Sequence, residues 1–154
     1  MLSPFEQYLL LQAFLLLPLI GIALRFGGMR RLQTLLARRV PSPAAANLNS
    51  ESLIERARMT AWIVSAASGH GLYRAHCLPQ SLTLWWLLQR QDIASDLRIG
   101  VRKPDGRFQA HAWVEVDGHT LDQAVQGQEP FKPFNRSMMP LRMKSEVYPE
   151  STRI

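Results

Sequence analysis

FQAHAWVEVDGHTLDQAV (residues 108–125) is where the chain changes its period. Ahead of it, apolar residues recur every three or four positions. Within it they alternate with polar ones, and Asp117-Gly118 interrupts the alternation with two residues suited to a tight hairpin turn. The stretch predicts two antiparallel strands, 108–116 and 119–125. A two-residue turn at Asp117-Gly118 sets Val116 opposite His119, Val114 opposite Leu121 and Trp113 opposite Asp122. Because side chains alternate across a strand, His111, Trp113 and Asp122 then share a face. His111 becomes the diagonal neighbour of Asp122, about 7–8 Å away at the backbone and within side-chain reach. Upstream, "LRIGVRK" (97–103) and the turn signal "PDG" (104–106) predict one more strand. If Asp105-Gly106 forms its two-residue turn, Gly100 faces His111, where a glycine is expected to leave room for a substrate backbone.

Before the strands the reading is helical. "CLPQSLTLWWLLQRQ" (77–91) places Leu78, Leu82, Trp85 and Leu88 on one face, widened by Leu84 and Trp86. Pro79 belongs in the first turn, where its missing N–H is not needed. Cys77 therefore sits at or just before the helix amino terminus. Ser52 and Glu55 have capping-box spacing, and Ile54, Ala57, Ala61 and Val64 follow at helical intervals until Gly69 and Gly71. "VPSPAAANLNS" (40–50) reads as a linker, and residues 4–38 as helix interrupted near Gly27-Gly28. Beyond Gln126, four prolines predict mostly loop, with one short strand near 138–143. The expected architecture is α+β, with amino-terminal helices followed by an antiparallel sheet. It divides into a helical region (1–40), a linker (41–51) and a main domain (52–154).

Composition bounds the function. A chain of 154 residues with 47% hydrophobic content suits one globular domain. One cysteine excludes an internal disulfide framework and fits a reducing, cytoplasmic compartment. The formal charge of +6 favours an acidic partner, but the arginines are scattered without a run, so nucleic acid is not expected. Residues 8–24 are strongly apolar. Glu6 stands where a signal peptide wants positive charge, and no cleavage site is obvious, so no signal peptide is expected. The segment is about the minimum length for a membrane span, and Pro18 weakens a straight helix. The expectation is a helix packed on the domain or a partner. The alternative is a membrane-surface contact with Arg25, Arg30 and Arg31 at anionic headgroups.

Three residues carry the chemistry. A thiol at a helix amino terminus lies beside unpaired N–H groups and the positive end of the dipole, which favour the thiolate and can hold an oxyanion. With Cys77 there, His111 on one strand and Asp122 on the next, the pattern is that of a thiol protease. Taken singly, each has a plainer explanation. Cys77 reads equally as buried filler, His111 between two alanines as a core histidine, and Asp122 as a strand end. Glu115 is too far along the strand to orient His111, and Asp117 serves its turn. His70, His76, Cys77 and His111 match no standard zinc spacing, so neither metal nor cofactor is expected.

"HCLPQSLTLWWLLQRQDIASDLRIGVRK" (76–103) followed by "AHAWVEVDGHTLD" (110–122) resembles the lasso-peptide biosynthesis B protein, in its stand-alone leader-peptidase form. That family belongs to the transglutaminase-like branch of the papain-type cysteine proteases, and the resemblance covers roughly residues 55–125. It implies Cys77 as nucleophile, His111 as general base and Asp122 as the acidic third member, the last in the family's least uniform segment. It further implies removal of the leader from a ribosomally made precursor peptide. A separate ATP-dependent lasso cyclase then uses the freed amine, and a separate leader-recognition protein delivers the precursor. Papain-like enzymes usually take a second oxyanion donor from a glutamine upstream of the cysteine. None lies within the ten residues before Cys77, so that role stays open; Gln80 is polar and near, but on the wrong side of the cysteine. Two other classes stay open: an acyltransferase built on the same triad, and a non-catalytic scaffold binding precursor and cyclase.

Overall fold

Helix-forming sequence precedes strand-forming sequence along the chain, and the fold keeps the two apart in space. The computed structural model describes residues 3–38, 50–70, 76–103, 106–122 and 131–134. The elements are α1 (Pro4–Arg38), α2 (Ser50–His70), α3 (Cys77–Arg90), β1 (Asp96–Arg102), β2 (Gln109–Val116), β3 (His119–Thr120) and β4 (Lys132–Pro133). The strands form one antiparallel sheet in the order β3-β2-β1-β4. The architecture is α+β, as expected.

α1 opens with a reciprocal cap that the sequence reading overlooked. The Glu6 N–H donates to Ser3 Oγ at 3.3 Å, and the Ser3 N–H donates to Glu6 Oε2 at 2.6 Å. Leu9, Ala13, Leu17 and Ile20 fall on one side of the helix and are buried. Phe5, Tyr8, Leu11, Leu15, Leu19, Ile22 and Phe26 are exposed on the other. Pro18 is accommodated within the helix, whose neighbours Leu17 and Ile20 are anchored in the core. The break comes at Gly28, whose φ of 71° only glycine adopts freely, where the sequence places it.

α3 is the central element, packed by α1, α2, β1 and β2. Its Leu82, Leu84, Trp85, Leu87 and Leu88 join Ala57, Ile63, Val64 and Ala67 of α2, the buried side of α1, and Leu97, Val114 and Val116 of the sheet in one core. Leu78 and Trp86 pack at its margin. The buried polar groups of α3 are tied down: Thr83 Oγ1 donates to the Pro79 carbonyl, and Trp85 Nε1 and Gln89 Nε2 donate to the Ser95 carbonyl. The chain leaves α3 through Asp92 at a φ of 56° and enters β1.

α2 begins at Ser50, two residues before the Ser52 capping signal, so two of the residues expected in the linker are helical. The rest of that linker and the strand expected near 138–143 lie outside the described residues. β3 comprises His119 and Thr120; of the returning strand expected over 119–125, Leu121 and Asp122 follow it without strand pairing, although the Leu121 N–H still donates to the Val114 carbonyl at 3.0 Å, and 123–125 lie outside the described residues. β4 was expected as loop. It pairs on the free side of β1, setting Gly100 against Pro133 and Val101 against Lys132.

Candidate active site

The amino terminus of α3 is left open by its sequence. His76 precedes it in extended conformation (ψ 166°) and makes no side-chain cap. Pro79 falls in the first turn, and the first backbone bond to close runs from the Gln80 N–H to the His76 carbonyl at 3.3 Å. Cys77 is the first helical residue, half-buried and free. Its thiol therefore stands beside amide N–H groups that the helix does not use. One turn later, Ser81 donates its hydroxyl to the Ala112 carbonyl at 2.8 Å, inside the core. This bond fixes α3 to β2 at the residue following His111.

The hairpin supplies the second component. Asp117 and Gly118 both have positive φ, 50° and 76°, as a two-residue type I′ turn requires. The register follows: Val116 pairs with His119 and Glu115 with Thr120. On this geometry His111 Nε2 and Asp122 Oδ2 meet at 2.5 Å. The Asp122 N–H is itself 3.4 Å from Thr120 Oγ1. With Nε2 engaged by the carboxylate, Nδ1 is the ring nitrogen left to other partners.

The ring is held on its faces as well. His111 stacks near Phe131, with centroids 5.2 Å apart, and near Trp113 at 6.4 Å with only 12° between planes. Trp113 is pinned in turn, its Nε1 donating to Glu115 Oε1 at 2.8 Å, while Arg98 Nε donates to Glu115 Oε2 at 3.1 Å. Glu115 thus uses both oxygens away from His111, in keeping with its exclusion as the orienting acid. Arg98, Glu115, Trp113, His111 and Asp122 form one connected chain of contacts across the sheet.

Gly100 does lie opposite His111, but the reason expected for it is wrong. A Cβ at this position would come 2.7 Å from Trp113 Cη2 and 2.8 Å from the Lys132 carbonyl oxygen. The glycine makes room for the indole and for β4, so no space is left there for a substrate.

Cys77, His111 and Asp122 line a single cleft of about 730 Å³, together with Gln80, Ser81 and a face of α2. The structure brings His111 and Asp122 into direct contact. It sets Cys77 in the same cleft without a hydrogen bond to His111, a bond that in enzymes of this chemistry often closes only when substrate is bound. Among the described residues no three His, Cys, Asp or Glu side chains gather as a metal site. The Ser81 clamp and the aromatic packing by Trp113 and Phe131 escaped the sequence reading. Ser81 had one usable signal, its position one helical turn after the thiol.

A family model described as the transglutaminase-like superfamily matches residues 16–136, a span that holds every residue of this cleft. No curated protein and no solved structure matches the chain.

Proposed function

Because the chain belongs to the transglutaminase-like superfamily, whose members are generally cysteine proteases and acyltransferases, we propose that it is a cysteine peptidase that removes the leader from a lasso-peptide precursor. The observation that carries the reading is the His111–Asp122 pair lining the same cleft as a thiol at an uncapped helix terminus. Peptidase rather than acyl transfer, and a lasso precursor rather than another peptide, rest on the resemblance of residues 76–103 and 110–122.

In this reading Cys77 passes its proton to His111, the resulting thiolate attacks the scissile carbonyl carbon, and the carbonyl electrons move onto oxygen. The Cys77 N–H stabilises that oxyanion, and Gln80 is among the polar side chains that line the cleft. As the tetrahedral species collapses, the C–N bond breaks, and His111 donates its proton to the departing amine, the new amino terminus of the core peptide. Water then gives a proton to His111 and its oxygen to the thioester, releasing the leader as a carboxylate and restoring the thiol. Asp122 holds the imidazole in orientation and stabilises its charged form. A leader-recognition protein and an ATP-dependent cyclase act before and after this step.

α1 bears on where the reaction takes place. Pro4–Gly28 is long and apolar enough to cross a membrane, yet one side of it is built into the core. A helix so divided suits an in-plane seat on the cytoplasmic membrane surface, with the exposed side chains within residues 8–24, among them Tyr8, Leu11, Leu15, Leu19 and Ile22, facing the acyl chains.

The test is incubation with precursor and leader-recognition protein, read by mass spectrometry. Release of a free leader acid, lost in Cys77→Ala and His111→Ala, supports the peptidase. An amidated or cross-linked leader selects acyl transfer instead, and unchanged processing by Cys77→Ala leaves only a scaffold.

A further inference from the structure

We propose that α2 supplies the specificity wall of the cleft, with Arg58 binding an acidic side chain of the peptide and Trp62 packing against its neighbour. The inference deepens the peptidase reading and rests on it for the identity of the ligand as a peptide.

Arg58, Ala61, Trp62 and Ser65 recur at i, i+3, i+4 and i+7, and all four line the cleft that holds Cys77 and His111. They form one face of α2. Its opposite face is already committed, since Ala57, Thr60, Ile63, Val64 and Ala67 are buried in the core. Among the described residues the core makes no use of a large ring at position 62, yet Trp62 stands there 55% exposed. An open indole on the wall of a cleft is a rigid surface on which a ligand side chain gains contact area at low entropic cost.

Arg58 is equally uncommitted. It is exposed and makes no hydrogen bond or ion pair among the described residues, although Glu55 lies one turn before it. Nor does its guanidinium cover the Trp62 ring, in contrast to Arg90 over Trp86 at 5.0 Å and Arg102 over Phe131 at 4.3 Å. Among the described residues the one carboxylate lining the cleft, Asp122, is paired with His111. An exposed cation lines the cleft, unpaired among the described residues, beside an aromatic surface, and Ala61 between them is too small to close the gap. A carboxylate with an apolar neighbour is the peptide chemistry that completes this arrangement.

The experiment uses a positional-scanning set of blocked octapeptides, with Asp, Asn or Lys at each position next to Leu. Binding is measured by indole fluorescence on the full-length Cys77→Ala protein, so that turnover does not enter. The expected result is a preference of at least tenfold for Asp over Lys at one position, inverted in Arg58→Glu and retained in Arg58→Lys. Trp62→Ala should weaken all peptides about tenfold without changing the charge preference. Absence of binding, or an Arg58→Glu profile identical to that of its parent, overturns the proposal. Charge-selective binding by a protein that releases no leader acid from its precursor would sink the peptidase reading and leave the binding wall standing.

Discussion

Ser81 and Ala112 are joined by a buried 2.8 Å hydrogen bond, from a hydroxyl one turn below Cys77 to the carbonyl of the residue after His111. It is the polar link between the helix that carries the thiol and the strand that carries the imidazole. Ser81→Ala leaves that carbonyl without this donor and should cost about 1–2 kcal/mol. Urea unfolding, with an unchanged m value, measures it. Leader release should fall as well, because the two elements lose their fixed spacing. Full activity in a destabilised Ser81→Ala protein would show that spacing to be set by apolar packing alone.

Asp122 engages Nε2 of His111 and, in the proposed reaction, orients the imidazole without touching substrate, so its effect should appear in turnover and not in binding. Asp122→Asn is expected to lower kcat on the order of 10²–10⁴-fold with KM near its original value. Asp122 is only partly buried, so thermal unfolding should move little. Steady-state kinetics on a fluorogenic leader–core peptide tests both parts. A rise in KM at constant kcat would instead make Asp122 a substrate-binding residue.

Gly100→Ala forces a methyl group against Trp113 on one side and the Lys132 carbonyl on the other. The expected cost is about 1–3 kcal/mol. Combining it with Trp113→Leu should recover only part of that loss, because the backbone carbonyl of β4 remains. Denaturant titration of the two single variants and the double variant gives the coupling. Full recovery would mean that β4 yields freely.

The open side of α1 is the fourth test. Leu15 and Leu19 are 65% and 60% exposed, so glutamate at both should leave the fold intact. The wild-type protein is expected to sediment with vesicles containing anionic lipid and much less with zwitterionic ones, given its charge of +6. The double glutamate variant should stay in the supernatant. A wild-type dimer that ignores vesicles and is split by the same variant would assign this face to a second copy.

The hairpin was legible because one dipeptide fixes its register. Once Asp117-Gly118 is a two-residue turn, simple alternation carries Asp122 to His111, and the preceding turn signal, Asp105-Gly106, carries Gly100 to the same level. Cys77 was legible because a proline in the first turn and a leucine face mark where α3 begins. Gly100 was misread because register states which residues oppose each other, whereas the direction in which a large diagonal neighbour leans depends on what pins it. Trp113 leans over the glycine with its N–H held by Glu115. β4 and Phe131 had no signal at all: a two-residue strand has no alternation to detect, and its proline belongs to an edge. The wall formed by α2 went unnoticed because Trp62 and Arg58 follow the helix's own spacing and acquire meaning only once the other side of the cleft is in place.

His111 and Asp122 are eleven residues apart in the chain, whereas Ser81 and Ala112 are separated by thirty-one. The imidazole and its carboxylate thus belong to a local hairpin that closes over a short loop, and the sulfur joins them only when distant helices dock. Gentle loosening of the protein should therefore silence it in a definite order: the thiol drifts out of register first, while hydrogen exchange still reports an intact hairpin.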